Sequence, residues 1–415
     1  MTDSGSPRRR PAAAFILITV VLDVIALGIV IPVLPGLVTS LNGSGLAAGA
    51  RLFGVFGVAW SAMQFLFSPL LGSLSDRYGR RAVLLTSLTG LGLDYILMAL
   101  APTVWWLLVG RILSGITAAT YGTAGAYVAD VTPPEGRARM FGLVNAAWGI
   151  GFTIGPALGG LLGDVSPRLP FWVAAGLTLA NALYGIAVLP ESLPPEQRGA
   201  VRWSRANPVG ALGLLYSRAG LLGLASVQFL YYLAHWVLPS TFVLYAEYRY
   251  GWSHAQVGLT LMFVGVCTAV VQGALVGRVV RALGERRAVL LGLICGAAGI
   301  ALYGLAPTGP LFLCAVPLGA LMGLYNPAAQ ALMSERMAAG EQGRLQGANS
   351  SLMGVVGLFA PFLYPFVFAA AVALPGAGAV ALSGAPFLLA ALCLVLGAGI
   401  AGKVARHVPA SGNPV

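Results

Sequence analysis

Asp23, Asp94 and Arg111 stand inside runs of apolar residues long enough to cross a bilayer. At 1.5 Å rise per residue, both carboxylates fall roughly halfway along their runs, and Arg111 reaches that depth from the opposite end of its own. Intramembrane charge costs a few kcal/mol by insertion scales and marks a functional site by default. A carboxylate there can bind a proton or a cationic substrate. Arg111, when close, favours the ionised carboxylate and expels the proton; when distant, it lets the proton return. A permanent structural ion pair is the alternative. Asp23, Asp94 and Arg111 are therefore the expected proton-coupling residues, and Asp94 a candidate substrate ligand as well. Gln64 is either a helix-helix hydrogen bond or a substrate ligand, and Gln228 is a further candidate ligand. A histidine with an unperturbed side chain titrates near neutrality, and His235 is either a ligand or a hydrogen-bonded interhelical residue. Neither H-E-x-x-H nor G-x-S-x-G occurs, so no enzyme is expected.

The elements that must carry these residues follow from composition. Of 415 residues, 58% are hydrophobic and 9% charged, against about 25% charged in an average soluble domain. A water-soluble surface cannot be built from that. The mean hydropathy of +0.85 and the 56 glycines and 26 prolines spread through apolar stretches suit membrane helices. A spanning helix needs about 20 mostly apolar residues, and the sequence offers twelve such segments, at 13–38, 51–73, 82–101, 104–129, 139–163, 169–189, 219–246, 253–276, 287–306, 309–334, 344–372 and 384–402. The first lacks a small-residue cleavage site and is expected to remain as a helix rather than leave as a signal peptide. The four cysteines, Cys267, Cys295, Cys314 and Cys393, lie in apolar segments without metal-ligand spacing, so neither a disulfide framework nor a metal site is expected. Gly397, Gly399 and Gly402 fit a dinucleotide-binding spacing, but no strand precedes them, and no cofactor is expected.

Basic residues collect on alternate loops. Arg77, Arg80, Arg81, Arg137, Arg139, Arg286 and Arg287 share one side with both termini, whereas Arg51, Arg168 and Arg249 are the other side's basic residues. Short cytoplasmic loops retain Lys and Arg, which places both termini in the cytoplasm. The net charge of +11 is thereby explained without nucleic acid. Residues 190–218 are the longest hydrophilic connection and divide the chain into halves at 1–189 and 219–415. Within that connection, Asn207-Pro208 reads either as the start of a short surface helix or as plain linker.

The halves are related. Arg80 to Leu85 matches Arg286 to Leu291, and Gly72, Gly79, Arg139, Gly142 and Pro156 find partners at Gly277, Gly284, Arg344, Gly347 and Pro361, all at nearly one offset. Two parallel six-helix halves related by an axis along the membrane normal are a transporter architecture.

Residues Gly72-Ser73-Leu74-Ser75-Asp76-Arg77-Tyr78-Gly79-Arg80-Arg81 resemble the cytoplasmic signature of the major facilitator superfamily. Gly72 is expected to admit a close helix, Asp76 to cap or pair with a neighbouring helix end, and the arginines to hold the loop at the anionic leaflet. Gly151, Gly155, Pro156, Gly159 and Gly160 resemble the element characteristic of the superfamily's antiporter branches. Glycines four apart line one helix face and admit a neighbouring backbone, and Pro156 invites a bend.

The first half also resembles the tetracycline-efflux proteins of Gram-negative bacteria, through Leu22-Asp23, Ile31 to Leu37, Met63-Gln64-Phe65, Asp94-Tyr95, Gly110-Arg111-Ile112 and Gly125 to Asp130. That resemblance implies substrate-binding or proton-coupling roles for Asp23, Gln64, Asp94 and Arg111. Where those exporters carry a histidine in span eight and an aspartate in span nine, this chain has Cys267 and Cys295. The expectation is an all-α membrane protein with twelve transmembrane helices in two pseudo-symmetric six-helix bundles. It would be a monomeric proton-coupled antiporter in the bacterial inner membrane that exports amphipathic small molecules or drugs. An importer or uniporter of a small metabolite is the alternative.

Overall fold

The computed structural model describes residues 9–118, 120–198, 219–335 and 342–404. The surface-helix reading at Asn207-Pro208 lies outside them. Among the described residues every regular element is helical.

One compact unit comprises Met1–Ala206 with Trp252–Met262. Its helices are α1 (Arg9–Val30), α2 (Leu34–Asn42), α3 (Leu46–Tyr78), α4 (Arg80–Leu100), α5 (Val104–Thr117), α6 (Thr120–Val131), α7 (Pro134–Val165) and α8 (Leu169–Val188). Two buried apolar clusters hold it together, one around Ile29, Phe56, Tyr95, Met98 and Phe171, the other around Val20, Leu84, Tyr127 and Val144.

The second unit comprises Asn207–Gly251 with Phe263–Val415. It contains α9 (Ala219–His235), α10 (Val237–Tyr250), the second half of α11 (His254–Val270), whose first half belongs to the other unit, α12 (Val276–Leu305), α13 (Gly309–Ala320), α14 (Tyr325–Ser334), α15 (Gln342–Val372), α16 (Ala377–Leu382) and α17 (Ala385–Val404). Stacked rings of Tyr303 and Phe312, with Tyr245 and Phe387, form part of its core. Outward faces in both units are apolar too, as at Leu93, Trp105, Leu183, Phe359 and Leu392. A helix apolar on all sides belongs in lipid.

Eleven helical stretches among the described residues are long and apolar enough to cross a membrane, and one of them, His254–Leu305, runs for 52 residues. That is more than twice the usual span. Within it, Gly284 has φ +76° and ψ 163°, a conformation open essentially to glycine alone.

Several expected single spans are built from two helices. α1 gives way to α2 because Pro32 and Pro35 cannot donate to the carbonyls four residues back; Ile31 and Val33 donate instead to Gly28 and Val30 at 3.2 and 3.3 Å. Pro239 likewise leaves the His235 carbonyl without its helical donor, and α9 stops there. Pro327 does the same to Gly323, inside the 3-10 turn Leu321–Leu324. The ends of α1 and α9, at Val30 and His235, are repeat-equivalent, and so are those of α4 and α12, at Leu100 and Leu305. The α5 to α6 junction at Ala118 corresponds in the same way to Gly323. The duplication therefore extends to where the helices break. Residues 373–384, including α16, interrupt the register: the repeat sets Leu374 opposite Leu169, where α8 begins, yet α17 begins only at Ala385.

Two basic residues of the arginine-poor loops have structural work. Arg168 donates from Nη1 and Nη2 to the carbonyls of Ala99 and Ala101 at 2.7 and 2.8 Å. Arg249 donates from Nε to Ala306 at 2.9 Å. Ala101 and Ala306 are the C-caps of α4 and α12, where orphan carbonyls and the negative end of the helix dipole favour a cation.

Candidate functional site

A cavity of about 90 Å³ lies within the first unit. Helical spacing aims its lining. α1 contributes Asp23 with Val20, Val24, Leu27 and Val30; α3 contributes Trp60 and Gln64, one turn apart; α4 contributes Leu91 and Tyr95, also one turn apart. Arg111 and Ser114 come from α5, and Trp148 from α7. Three of the four first-half residues selected from sequence thus share one cavity wall. Its volume is well below the roughly 300 Å³ from which small-molecule sites usually start.

Asp94 is 2% exposed and packs beside that wall. A Cβ at residue 110 would lie 2.8 Å from its Oδ1, so Gly110 makes the space that Asp94 occupies next to Arg111. Oδ1 of Asp23, both carboxylate oxygens of Asp94, the Tyr95 hydroxyl and Nε of Arg111 are buried without a hydrogen-bond partner among the described residues. Among those residues no ion pair joins Arg111 to either carboxylate. Its guanidinium lies over Trp60, 5.4 Å from the ring centroid. The permanent ion pair considered from sequence is therefore not formed in this conformation.

The candidates of the second unit are placed differently. Gln228 is fully buried; its amide donates to Asn326 at 3.2 Å and accepts from the Tyr325 hydroxyl at 3.0 Å. Both ends of the side chain are committed to one neighbouring helix, α14. His235 terminates α9, with its ring 6.1 Å from that of Tyr231.

The loop between α3 and α4 is a charge network. Arg80 pairs with Asp76 and donates to Asp130 of α6 at 3.1 Å. The Arg80 backbone N–H, first in α4, donates to Glu191 at 2.9 Å. Glu191 also accepts from the backbone of Ser192 and Leu193. Arg81 donates to the Ile186 carbonyl at 2.6 Å, while Arg77 lies over its neighbour Tyr78. Gly79 has φ +103°, and a Cβ there would overlap the Glu191 carboxylate. Gly72, expected to admit a close helix, faces open space instead. Asp130 and Glu191 were missed as partners because they are remote from Arg80 in sequence. Only their charge, adjacent to no obvious partner of their own, hinted at a role.

The glycines of α7 serve two neighbours. Cβ atoms at Gly151 and Gly155 would lie 2.8 Å from Val24 and 2.7 Å from Gly28, and one at Gly159 would overlap the Ile29 carbonyl. These three face α1. Gly160 abuts the His254 carbonyl of α11, and Gly258 abuts the carbonyl of Pro156. Ser253 donates to Asp164 at 2.8 Å beside this contact. At the repeat-equivalent place Pro361 is retained inside α15, but Tyr364 fills the space and donates to Leu233 at 2.7 Å.

The profile described as Major Facilitator Superfamily matches residues 16–361. The tetracycline resistance protein, class C, of Escherichia coli is 38% identical over 359 residues, covering 86% of this chain and 90% of the relative. The class B protein of the same species is 34% identical, covering 85% and 87%. Among solved structures, the human organic anion transporter MFSD10 (TETRAN) superposes with a TM-score of 0.68 at 25% identity, over 95% of this chain and all of that one. A bacterial homologue of the human lysosomal transporter Spinster shares the fold at a TM-score of 0.75 and 14% identity, over 97% and 98%. With these matches standing beside a helical fold duplicated along the chain, the chain belongs to the major facilitator superfamily, as a transporter similar to the tetracycline efflux proteins.

Proposed function

We propose that the protein exchanges protons for apolar or cationic amphipathic molecules and exports the latter across a bacterial inner membrane. Asp23 or Asp94 carries the coupled proton, Arg111 controls its release, and Gln64 and Asp94 contact the substrate. The observation that carries this reading is an asymmetry between repeat-equivalent residues. Asp23 keeps a buried carboxylate oxygen without a protein partner on a cavity wall, whereas Gln228, its counterpart in the second half, has its amide satisfied on both sides. An unpaired buried carboxylate is costly when charged, so it is poised to take up a proton; a neutral, saturated amide is a structural joint. Gln228 and His235 accordingly act at most as secondary contacts with substrate.

Twelve spans are proposed, with Gly284 dividing the long His254–Leu305 stretch. The halves 1–189 and 219–415 are joined by 190–218, both termini face the cytoplasm, and the transporter works as a monomer in the bilayer. Because Cys267 and Cys295 replace a histidine and an aspartate of the tetracycline exporters, a chelate of a hard cation loses one carboxylate of the kind such cations favour and one imidazole able to hydrogen-bond it. Lipophilic cations are the better substrates.

The test is ethidium transport in proteoliposomes with the pH gradient imposed or collapsed. Accumulation driven by the proton gradient, abolished by Asp23→Asn or Asp94→Asn while downhill exchange persists, is the expected result. Transport indifferent to the gradient would replace antiport with the uniporter alternative.

A further inference from the structure

Arg111 is a cation on the cavity wall whose visible partner is an aromatic ring. Its separation of 5.4 Å from the Trp60 centroid lies within the range where an arginine is attracted to an indole face. The backbone that carries the ring is fixed closely against α5: a side chain at Gly115 would strike the Trp60 backbone, 2.6 Å from its carbonyl oxygen. Around this pair the titratable groups are Asp23 from α1, and Asp94 and Tyr95 from α4; α3 and α7 present Trp60, Gln64 and Trp148 to the cavity and add no charge.

We propose that Trp60 is a positioning residue that holds the Arg111 guanidinium off the carboxylates, and that an aromatic cation taking this ring face drives Arg111 onto a carboxylate and expels the coupled proton. The inference rests on the proton-coupled reading of the same cavity and adds the means by which substrate and proton exclude one another.

An indole face turned to the cavity accommodates one cation. When a solute stacks there, the displaced guanidinium is still buried and needs a partner, because an unpaired buried charge is costly. The nearest strong partners are Asp94 and Asp23. Approach of the guanidinium stabilises the carboxylate over the carboxylic acid. The O–H bond then breaks, the electron pair stays on oxygen, and the proton leaves to water on the side to which the cavity opens. One positive charge enters with a monovalent solute and one leaves, so the cavity charge is unchanged. When the solute departs, the ring recaptures Arg111 and the carboxylate is free to be reprotonated from the other side.

The experiment measures proton release per bound ethidium, with a pH-indicator dye, on the full chain in detergent across a range of pH. In Trp60→Leu, Arg111 has no ring to rest on and sits with the carboxylate before ethidium arrives. The midpoint of the release profile should therefore move about one pH unit to the acid side, a tenfold change equivalent to ~1.4 kcal/mol. Trp60→Phe keeps a weaker π-face and should move in the same direction by less than half as much. Wild-type midpoints in both variants would overturn the proposal, as would an alkaline shift. Should the leucine variant fail to fold, the direction of the phenylalanine shift decides alone. Asp23→Asn and Asp94→Asn separate the two levels. If neither reduces proton release, the proton-coupled reading fails; if one abolishes it while the Trp60 variants match wild type, only the role of Trp60 falls.

Discussion

Replacing Gly79 by alanine perturbs two things that the duplication allows to be measured separately. Gly79 has φ +103° and ψ 152° and Gly284 has φ +76° and ψ 163°; these are repeat-equivalent loop positions in a region that is nearly glycine-only and costs about 1–3 kcal/mol for another residue. Their surroundings differ. A Cβ at Gly284 meets nothing within 4 Å, whereas one at Gly79 overlaps the Glu191 carboxylate. That carboxylate accepts the first N–H of α4 at 2.9 Å, so it acts as an N-cap supplied from a distant segment, at the helix end where the dipole favours an anion. Displacing it forfeits a charge-assisted hydrogen bond, about 1.5–3 kcal/mol. Gly284→Ala should therefore cost ~1–3 kcal/mol, and Gly79→Ala that amount plus a further ~1.5–3 kcal/mol. Denaturation of the detergent-solubilised protein by graded sodium dodecyl sulfate reads both. In a Glu191→Ala background the additional term should vanish, leaving Gly79→Ala near the cost of Gly284→Ala. Equal losses for the two alanines in the wild-type background would refute the reasoning that Glu191 fixes this loop.

Asp76→Asn should impair ethidium transport while leaving membrane insertion and the melting temperature nearly intact, since its partner Arg80 keeps Asp130; wild-type transport rates would make the acid dispensable. Gly159→Val should abolish close contact with the Ile29 carbonyl and cost ~3 kcal/mol or more through overpacking, whereas Gly149→Val, facing open space, should lie within ~0.5 kcal/mol of wild type. Arg168→Ala should leave the Ala99 and Ala101 carbonyls uncapped and lower stability by ~1–3 kcal/mol, with transport by the surviving folded fraction unchanged. A susceptibility panel in an efflux-deficient host should show stronger protection against lipophilic cations than against tetracycline; tetracycline resistance alone, lost on Asp23→Asn, would contradict the specificity argument and spare the transporter.

Much of the architecture is written in local pattern. The twelve apolar segments, the arginine-rich loops and the internal repeat are one-dimensional signals, because a lipid solvent demands apolar length wherever a helix crosses. The expected close approach at Gly151, Gly155 and Gly159 could be read the same way, since four-residue spacing on a helix defines a face without reference to the rest of the chain. Spacing does not name the neighbour, however: α1 lies against those three glycines and α11 against Gly160, a choice made by how α7 is rotated. The prolines Pro35 and Pro239 were visible, but that α1 and α9 would end at matching positions became plain only with the helices in place.

For the site, sequence determined which side chains are too costly to bury idly: Asp23, Asp94, Arg111 and Gln64 come from four helices; depth and charge singled out the first three, and hydrogen-bonding capacity with the family resemblance singled out Gln64. What each of them faces belongs to the tertiary structure. Gly110 makes room for Asp94 behind the cavity wall, Trp60 receives Arg111 that an ion-pair reading would have given to a carboxylate, and Gln228 is consumed by Tyr325 and Asn326. Partners so far apart in sequence are brought together by the packing of whole helices, whose rotation is set by many small contacts along their length. No short window of residues contains that information.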